Sequence, residues 1–153
     1  MAIGGLVIIS GGQTGADRAA LDWALSRDVS CRGWCPKGRK AEDGPLPESY
    51  PLKETPSASY RQRTEWNVRD SEGTVIFTIK RNLTGGSLRT AEFARKLNRA
   101  WIHISAGDKR PAESLQIFLR DNAIRELNVA GSRASKEPGI GAFVMSTLEA
   151  AFT

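Results

Sequence analysis

Residue types that commonly hold metal ions are nearly absent from this sequence of 153 residues. It contains two cysteines, Cys31 and Cys35, and a single histidine, His103. A structural zinc site needs about four such ligands at short spacings, and no second cysteine pair or nearby histidine completes a set here. We therefore interpret the cysteines as reduced thiols and His103 as a hydrogen-bonded residue of an apolar strand. We expect no metal ligand from the protein.

Long apolar stretches are absent as well. No run approaches the roughly 20 residues that cross a membrane as a helix. The first residues also do not show the basic segment and long apolar segment of a secretory signal. The sequence therefore predicts a cytoplasmic location without a membrane partner. Its length fits one domain over residues 1–153 with a hydrophobic core of its own.

Acidic residues are fewer than basic ones, 17 against 22, so the formal net charge is +5. The basic residues gather at 37–40, 61–69, 80–81 and 109–110. Such groups are usually a solvated surface, and the functional alternative is attraction of an anionic ligand or a nucleic acid. Aromatic residues are not interleaved with them as in proteins that bind single strands. We therefore do not expect nucleic acid as the partner.

Short apolar runs alternate with helical patterns along the chain. Strands are predicted at about 5–10, 30–35, 74–79, 101–104 and 127–130, and helices at about 15–27, 59–71, 87–98, 111–124 and 140–151. This alternation predicts an α/β fold, a Rossmann-like doubly wound parallel sheet of about five strands with helices on both faces. The expected strand order is 2-1-3-4-5, with a ligand crevice where the order reverses between the first and third strands. The proline-rich segment 36–58 is either a cover for this crevice or a plain surface excursion.

The chain is organised around the turn Ser-Gly-Gly-Gln-Thr-Gly-Ala-Asp at residues 10–17. It joins the first strand to the first helix. Glycines allow positive φ and close approach of a ligand to the backbone, and a helix start suits phosphate. The alternative is a purely structural turn, in which Asp17 caps local amides instead of accepting from a ligand. The candidate binding residues here are Gly11, Gly12, Gln13, Thr14, Gly15 and Asp17.

Two further turns are expected at the same crevice. Thr-Gly-Gly-Ser at 84–87 follows the third strand and opens a helix, and residues 131–139 follow the fifth strand. Their hydroxyls can donate to phosphate oxygens, an arginine offers a bidentate contact and a lysine a point charge. The candidate binding residues in these turns are Gly85, Gly86, Ser87, Thr90, Arg133, Ser135 and Lys136.

Several motifs together resemble the molybdenum cofactor carrier family, part of a wider group that contains the lonely-guy phosphoribohydrolases and the DNA-processing protein DprA. These motifs are SGGQTGAD at 10–17, GWCPKGR at 33–39, RTEWNVRD at 63–70, TGGS at 84–87 and NVAGSRASK at 128–136. The resemblance covers about residues 5–151. It implies a Rossmann-like fold, a homo-oligomer and binding of molybdenum cofactor (molybdopterin), a phosphorylated pterin whose dithiolene holds the molybdenum. No protein ligand to the metal is then needed.

The competing function is a nucleoside monophosphate phosphoribohydrolase. Lonely-guy enzymes carry P-G-G-x-G-T-x-x-E, and residues 84–92 keep two glycines and the final glutamate, Glu92. Leu88 stands at the third glycine, and Thr90 comes one place late. We therefore predict a carrier that is not an enzyme, with the hydrolase or a nucleotide- or nucleic-acid-binding module as alternatives. We also predict a dimer or tetramer, because the polar helix 59–71 and the segment 36–58 lack an intrachain reason for their pattern.

Overall fold

Buried runs rich in β-branched residues form the central strands of the computed structural model, which describes residues 1–153. The strands are β1 (Val7–Ile9), β2 (Ser30–Arg32), β3 (Trp34–Cys35), β4 (Lys53–Glu54), β5 (Gly73–Thr78), β6 (Ala100–Ser105) and β7 (Glu126–Gly131). The helices are α1 (Ala16–Ser26), α2 (Tyr60–Arg69), α3 (Gly85–Lys96), α4 (Pro111–Asp121) and α5 (Ile140–Phe152). All the predicted helices are present, and the predicted strands occur within a few residues of their expected ends.

The predicted strand at 30–35 is divided at Gly33. A Cβ at this position would lie 2.0 Å from the carbonyl oxygen of Ser10, so only glycine lets the chain pass so close to the end of β1. Beyond Gly33, the chain leaves the main sheet. Trp34 and Cys35 pair in parallel with Lys53 and Glu54 instead, which forms a separate two-stranded sheet.

The main sheet has five parallel strands in the order β2-β1-β7-β5-β6. The α/β class is thus confirmed, but the expected order 2-1-3-4-5 is wrong, because the last strand lies between the first and third predicted strands. Burial explains this placement. Residues 127–129 of β7 are fully covered, whereas residues 100–103 of β6 are only half-buried, as an edge strand is. Counted from β7, the order becomes 3-2-1-4-5, so the sheet is a circularly permuted Rossmann arrangement.

Helices cover both faces of this sheet. The crossover from β1 to β2 runs in the opposite direction to that from β5 to β6, so right-handed connections place α1 and α3 on opposite faces. Helix α5 packs between α1 and α4, and α2 packs on α3. The core on the α5 side includes Trp23, whose ring lies 5.4 Å from that of Phe152. None of the five helices is long and apolar enough to cross a membrane.

The segment 36–58 is folded against the body of the protein. Its buried residues Leu46 and Leu52 pack with Leu21 and Cys35. The Arg39 side chain donates to four carbonyl oxygens of the same segment, at 2.8–3.0 Å. The segment therefore has a hydrophobic contact and an internal hydrogen-bond centre, which gives it an intrachain reason for its composition.

Candidate functional site

A polar cleft of about 220 Å³ opens at the carboxyl ends of β1, β5 and β7. The three turns that follow these strands reach it, and α2 forms its remaining wall. The predicted site residues that line the cleft are Gly11, Gln13, Asp17, Gly85, Gly86, Ser87, Thr90, Arg133 and Lys136. The turns meet there although the expected strand order was wrong, since inserting β7 between β1 and β5 brings the third turn to the middle of the cleft.

Four amides of the first turn have acceptors within the chain. The Gly12 amide donates to Ser10 Oγ at 3.2 Å, and the Gln13 amide to Asp17 Oδ2 at 3.3 Å. Gln13 Oε1 accepts from the Thr14 amide at 3.0 Å, and the Ala16 amide donates to the Ser132 carbonyl at 3.0 Å. These four amides are therefore not free for an anion, whereas those of Gly11, Gly15 and Asp17 have no acceptor within the chain.

Four predicted site residues lie outside the cleft lining: Gly12, Thr14, Gly15 and Ser135. A Cβ at Gly12 would lie 2.8 Å from Leu46 Cδ2, and one at Gly15 would lie 2.4 Å from the Ser132 carbonyl oxygen. Both glycines also have positive φ, 77° and 85°. Their role in the structure is thus to let other segments of the chain approach closely.

Glu42 of the segment 36–58 accepts hydrogen bonds from the hydroxyls of Thr14 and Ser135. Its carboxylate accepts from Thr14 Oγ1, from Ser135 Oγ at 2.6 Å and from the Ser135 amide at 3.1 Å. The hydrogen bonds from Ser135 and Thr14 lower the pKa of Glu42. This carboxylate joins the segment to the turns after β1 and β7.

The start of α3 has three consecutive amides without an acceptor in the chain. The N–H groups of Gly85, Gly86 and Ser87 have no acceptor within the chain, and Thr84 makes no side-chain cap. Lys136 Nζ lies beside them and donates to Thr84 Oγ1 at 2.6 Å. The Ser87 residue is only 7 % exposed, and its hydroxyl makes no hydrogen bond within the chain. Free amides, a helix dipole and a lysine together form a candidate anion site.

A buried ion pair stands on the opposite wall of the cleft. Asp17 and Arg63 are each 8 % exposed, and Arg63 Nη1 lies 3.6 Å from Asp17 Oδ2. Burial raises the pKa of Asp17 to about 6, although Arg63 and the Gln13 amide oppose the shift. Asp17 thus caps a local amide and also presents a carboxyl group to the cleft.

Helix α2 contributes cleft residues that the sequence analysis did not select, namely Tyr60, Arg63, Thr64 and Asn67. Arg63 Nη1 donates to the Gly11 carbonyl at 2.8 Å and Nε to Thr64 Oγ1 at 3.1 Å, which leaves its second terminal nitrogen for a ligand. Asn67 accepts from the Trp34 amide and donates to the Trp34 carbonyl. The poor apolar stripe of this helix was the sequence feature that could have indicated these cleft residues. Its polar residues face the cleft and β3, so the pattern does not require a partner chain.

Glu92, the glutamate of the hydrolase alternative, is exposed and does not line the cleft. Leu88 is also exposed, at 39 %. His103 is half-buried, and its Nε2 lies 2.6 Å from Thr78 Oγ1. Cys35 is buried and Cys31 half-buried, and burial raises the pKa of both thiols.

Fold and cleft define a class of protein, a Rossmann-like domain that binds a small ligand at the carboxyl ends of its strands. The model of cpYpsA, the circularly permutated YpsA SLOG family, matches residues 8–152. The chain belongs to this family, and the permutation agrees with the strand order 3-2-1-4-5 counted from β7.

A solved structure supports the same assignment. The crystal structure of a protein from Syntrophus aciditrophicus SB, named "Putative molybdenum carrier protein", is 43 % identical to this chain. The match covers 96 % of this chain and 94 % of that one, with a TM-score of 0.92. No curated protein matches the chain significantly.

Proposed function

We propose that this protein binds molybdenum cofactor and carries it without consuming it. The observation that carries the proposal is the anion site at the start of α3, where three free amides and Lys136 meet. The name of the Syntrophus protein supports a molybdenum-containing ligand.

The residues of the cleft fit a phosphorylated polar ring. The amides of residues 85–87, with Lys136 and Arg133, would hold the phosphate. Asp17, Arg63 and Asn128 offer an acceptor and donors to the ring on the other side of the same cleft. When bound, the cofactor supplies the molybdenum centre on its own dithiolene. The lining contains no cysteine or histidine.

The cleft is also positively charged overall. Arg63, Arg89, Arg133 and Lys136 line it against the single carboxyl group of Asp17. A cleft lined by one sign of charge concentrates ligands of the opposite sign. An anionic cofactor is therefore favoured over a neutral or cationic one.

The hydrolase alternative depends on Glu92, which the structure places in solvent outside the cleft. A hydrolase must stabilise a developing ribosyl cation better than its substrate. A carboxylate beyond the reach of the ligand cannot do so. The arrangement therefore favours binding over hydrolysis.

The experiment incubates the protein with molybdenum cofactor under air and, separately, with AMP. We expect wild type and Glu92→Gln to protect the cofactor from oxidation equally and to release no adenine. Lys136→Ala should bind about tenfold more weakly, since it removes one charged contact. Lys96→Ala, at the other end of α3, is the matched control and should bind as wild type.

Two results would contradict the proposal. Steady release of adenine by wild type, abolished in Glu92→Gln, would establish the phosphoribohydrolase instead. Oxidation of the cofactor at the same rate with and without the protein would exclude the carrier.

A further inference from the structure

A second polar cavity of about 220 Å³ adjoins the cleft at the start of α3. The two share Thr84, Ser87, Ser132 and Lys136, so they are continuous across the residues that form the anion site. The second cavity extends along the turn after β5 and is lined without any hydrophobic side chain. A ligand held at α3 can therefore continue into it without passing an apolar barrier.

The charge of the second cavity suits a further anionic group. Lys80, Arg81 and Lys136 line it against one carboxylate, that of Glu137. This carboxylate is already used, because it accepts from Ser132 Oγ at 2.5 Å and from the amides of Ile79 and Lys80, each at 2.9 Å. Glu137 thus fixes the wall that presents Lys80 and Arg81.

Ser87 stands where the two cavities meet. The residue is more than nine-tenths buried, and its hydroxyl lacks a partner within the chain while it lines both cavities. The hydroxyl is open to both cavities and free to bond a ligand there. An oxygen atom of a ligand that passes from one cavity to the other would accept its hydrogen bond.

The geometry points to a diphosphate ester as the ligand class, with one phosphate at the amides of α3 and the second beside Lys80 and Arg81. This inference rests on the proposed function, since it extends the same anion site and assigns the carried cofactor a second phosphate beyond the one held at α3. A monophosphate would occupy the first position and leave Lys80 and Arg81 without a partner. The second phosphate would add charge-assisted contacts from these two residues.

The test measures binding of inorganic phosphate and of pyrophosphate by calorimetry. We expect wild type to bind pyrophosphate about tenfold more tightly than phosphate. The Lys80→Ala/Arg81→Ala double variant should lose this preference while it keeps the affinity for phosphate. The matched control is Lys109→Ala/Arg110→Ala, another exposed basic pair with the same charge, which lines neither cavity.

The control pair should retain the preference, because a loss common to both double variants would reflect only the net charge. Equal losses in the two variants, or an unchanged preference in Lys80→Ala/Arg81→Ala, would overturn the diphosphate inference. Phosphate binding without any preference in wild type would also overturn it and leave the proposed anion site intact. No binding of either anion would overturn both.

Discussion

Gly12 and Gly86, both predicted to contact the ligand, have opposite surroundings. Gly12 has φ of 77° and is enclosed by Leu46 and Leu52, whereas a Cβ at Gly86 would meet nothing within 4 Å. A valine at Gly12 would therefore disturb the packing of the fold, whereas one at Gly86 would not. Added atoms at Gly12 would clash with the packed segment 36–58.

We accordingly expect Gly12→Val to lower the free energy of unfolding by about 2 kcal/mol or more, because it combines overpacking with a strained φ. Gly86→Val should keep the fold and weaken phosphate binding, since its side chain would stand beside the free amides. Urea denaturation and calorimetry measure the two effects. A stable Gly12→Val, or an unchanged phosphate affinity of Gly86→Val, would contradict these assignments.

Asp17 predicts a specific pH dependence. Its pKa rises from an ordinary 3.8 to about 6 through burial, so the folded chain holds a proton that the unfolded chain releases between these values. The contribution of Asp17 to stability is therefore greatest below pH 4 and falls as the pH rises to about 6. Two pKa units correspond to about 3 kcal/mol.

The measurement compares urea unfolding of wild type and Asp17→Asn from pH 4 to pH 7. The stability of the variant relative to wild type should rise by up to about 3 kcal/mol over this range. The difference between the two proteins cancels the contributions of other carboxylates. Glu42 and Glu137, for example, have a lowered pKa and change stability with pH in the opposite direction. The exposed Asp121→Asn is the control. A flat or falling difference would contradict the buried acid.

At the residue scale, the sequence predicted which residue types lie near the cleft better than it predicted their hydrogen-bond partners. The glycines, hydroxyls and cations that it indicated are near the cleft, but Thr14 and Ser135 are bound to Glu42. Their partner lies in a distant segment, and no local pattern predicts such a contact. Arg63 was not predicted for the same reason, because the backbone carbonyl that accepts from it lies 52 residues away in the sequence.

At the element scale, the segment 36–58 depends on Arg39. This residue has a positive φ of 55°, and its guanidinium donates to the carbonyls of Leu46, Pro47, Tyr50 and Leu52. No lysine could replace it, because only the planar fork reaches several acceptors at once. Arg39 thus holds the segment in the shape that presents Glu42 to the turns.

We expect Arg39→Ala to lose about 2 kcal/mol of stability, the usual effect of removing charged hydrogen bonds. Proteases should then cut between residues 40 and 52 while the main sheet stays intact. Limited proteolysis with mass spectrometry of the fragments tests this. The exposed Lys37→Ala is the control, and equal protease resistance of Arg39→Ala and wild type would contradict the role of Arg39.

Helix α2 shows what an amphipathic pattern can and cannot predict. Its ends were predicted well, and Ser59 caps it through the Arg61 amide at 3.2 Å, as a serine before a helix should. Its polar face was attributed to a partner chain, yet it borders the cleft. The position of a polar face in the molecule depends on topology, which the helical period does not contain.

At the scale of the whole molecule, strand order was the property that the sequence could not supply. Alternating strands and helices predict a parallel sheet. The same alternation is compatible with several strand orders, and the position of β7 between β1 and β5 is only one of them. The permutation nevertheless keeps the carboxyl ends of these strands together. The predicted crevice therefore coincides with the cleft, although the predicted strand order was wrong. The homo-oligomer, as dimer or tetramer, stays a prediction, although the cleft and Arg39 now account for the patterns that suggested it.

The measurement that tests the central proposal most directly is mass spectrometry of the ligand released from protein purified without oxygen from cells that make molybdenum cofactor. We expect a phosphorylated pterin together with molybdenum from wild type and from Lys96→Ala. Much less of it should come from Lys136→Ala and Gly86→Val, because both alter the anion site. Release of a nucleotide in its place, or of no ligand from wild type, would contradict the account.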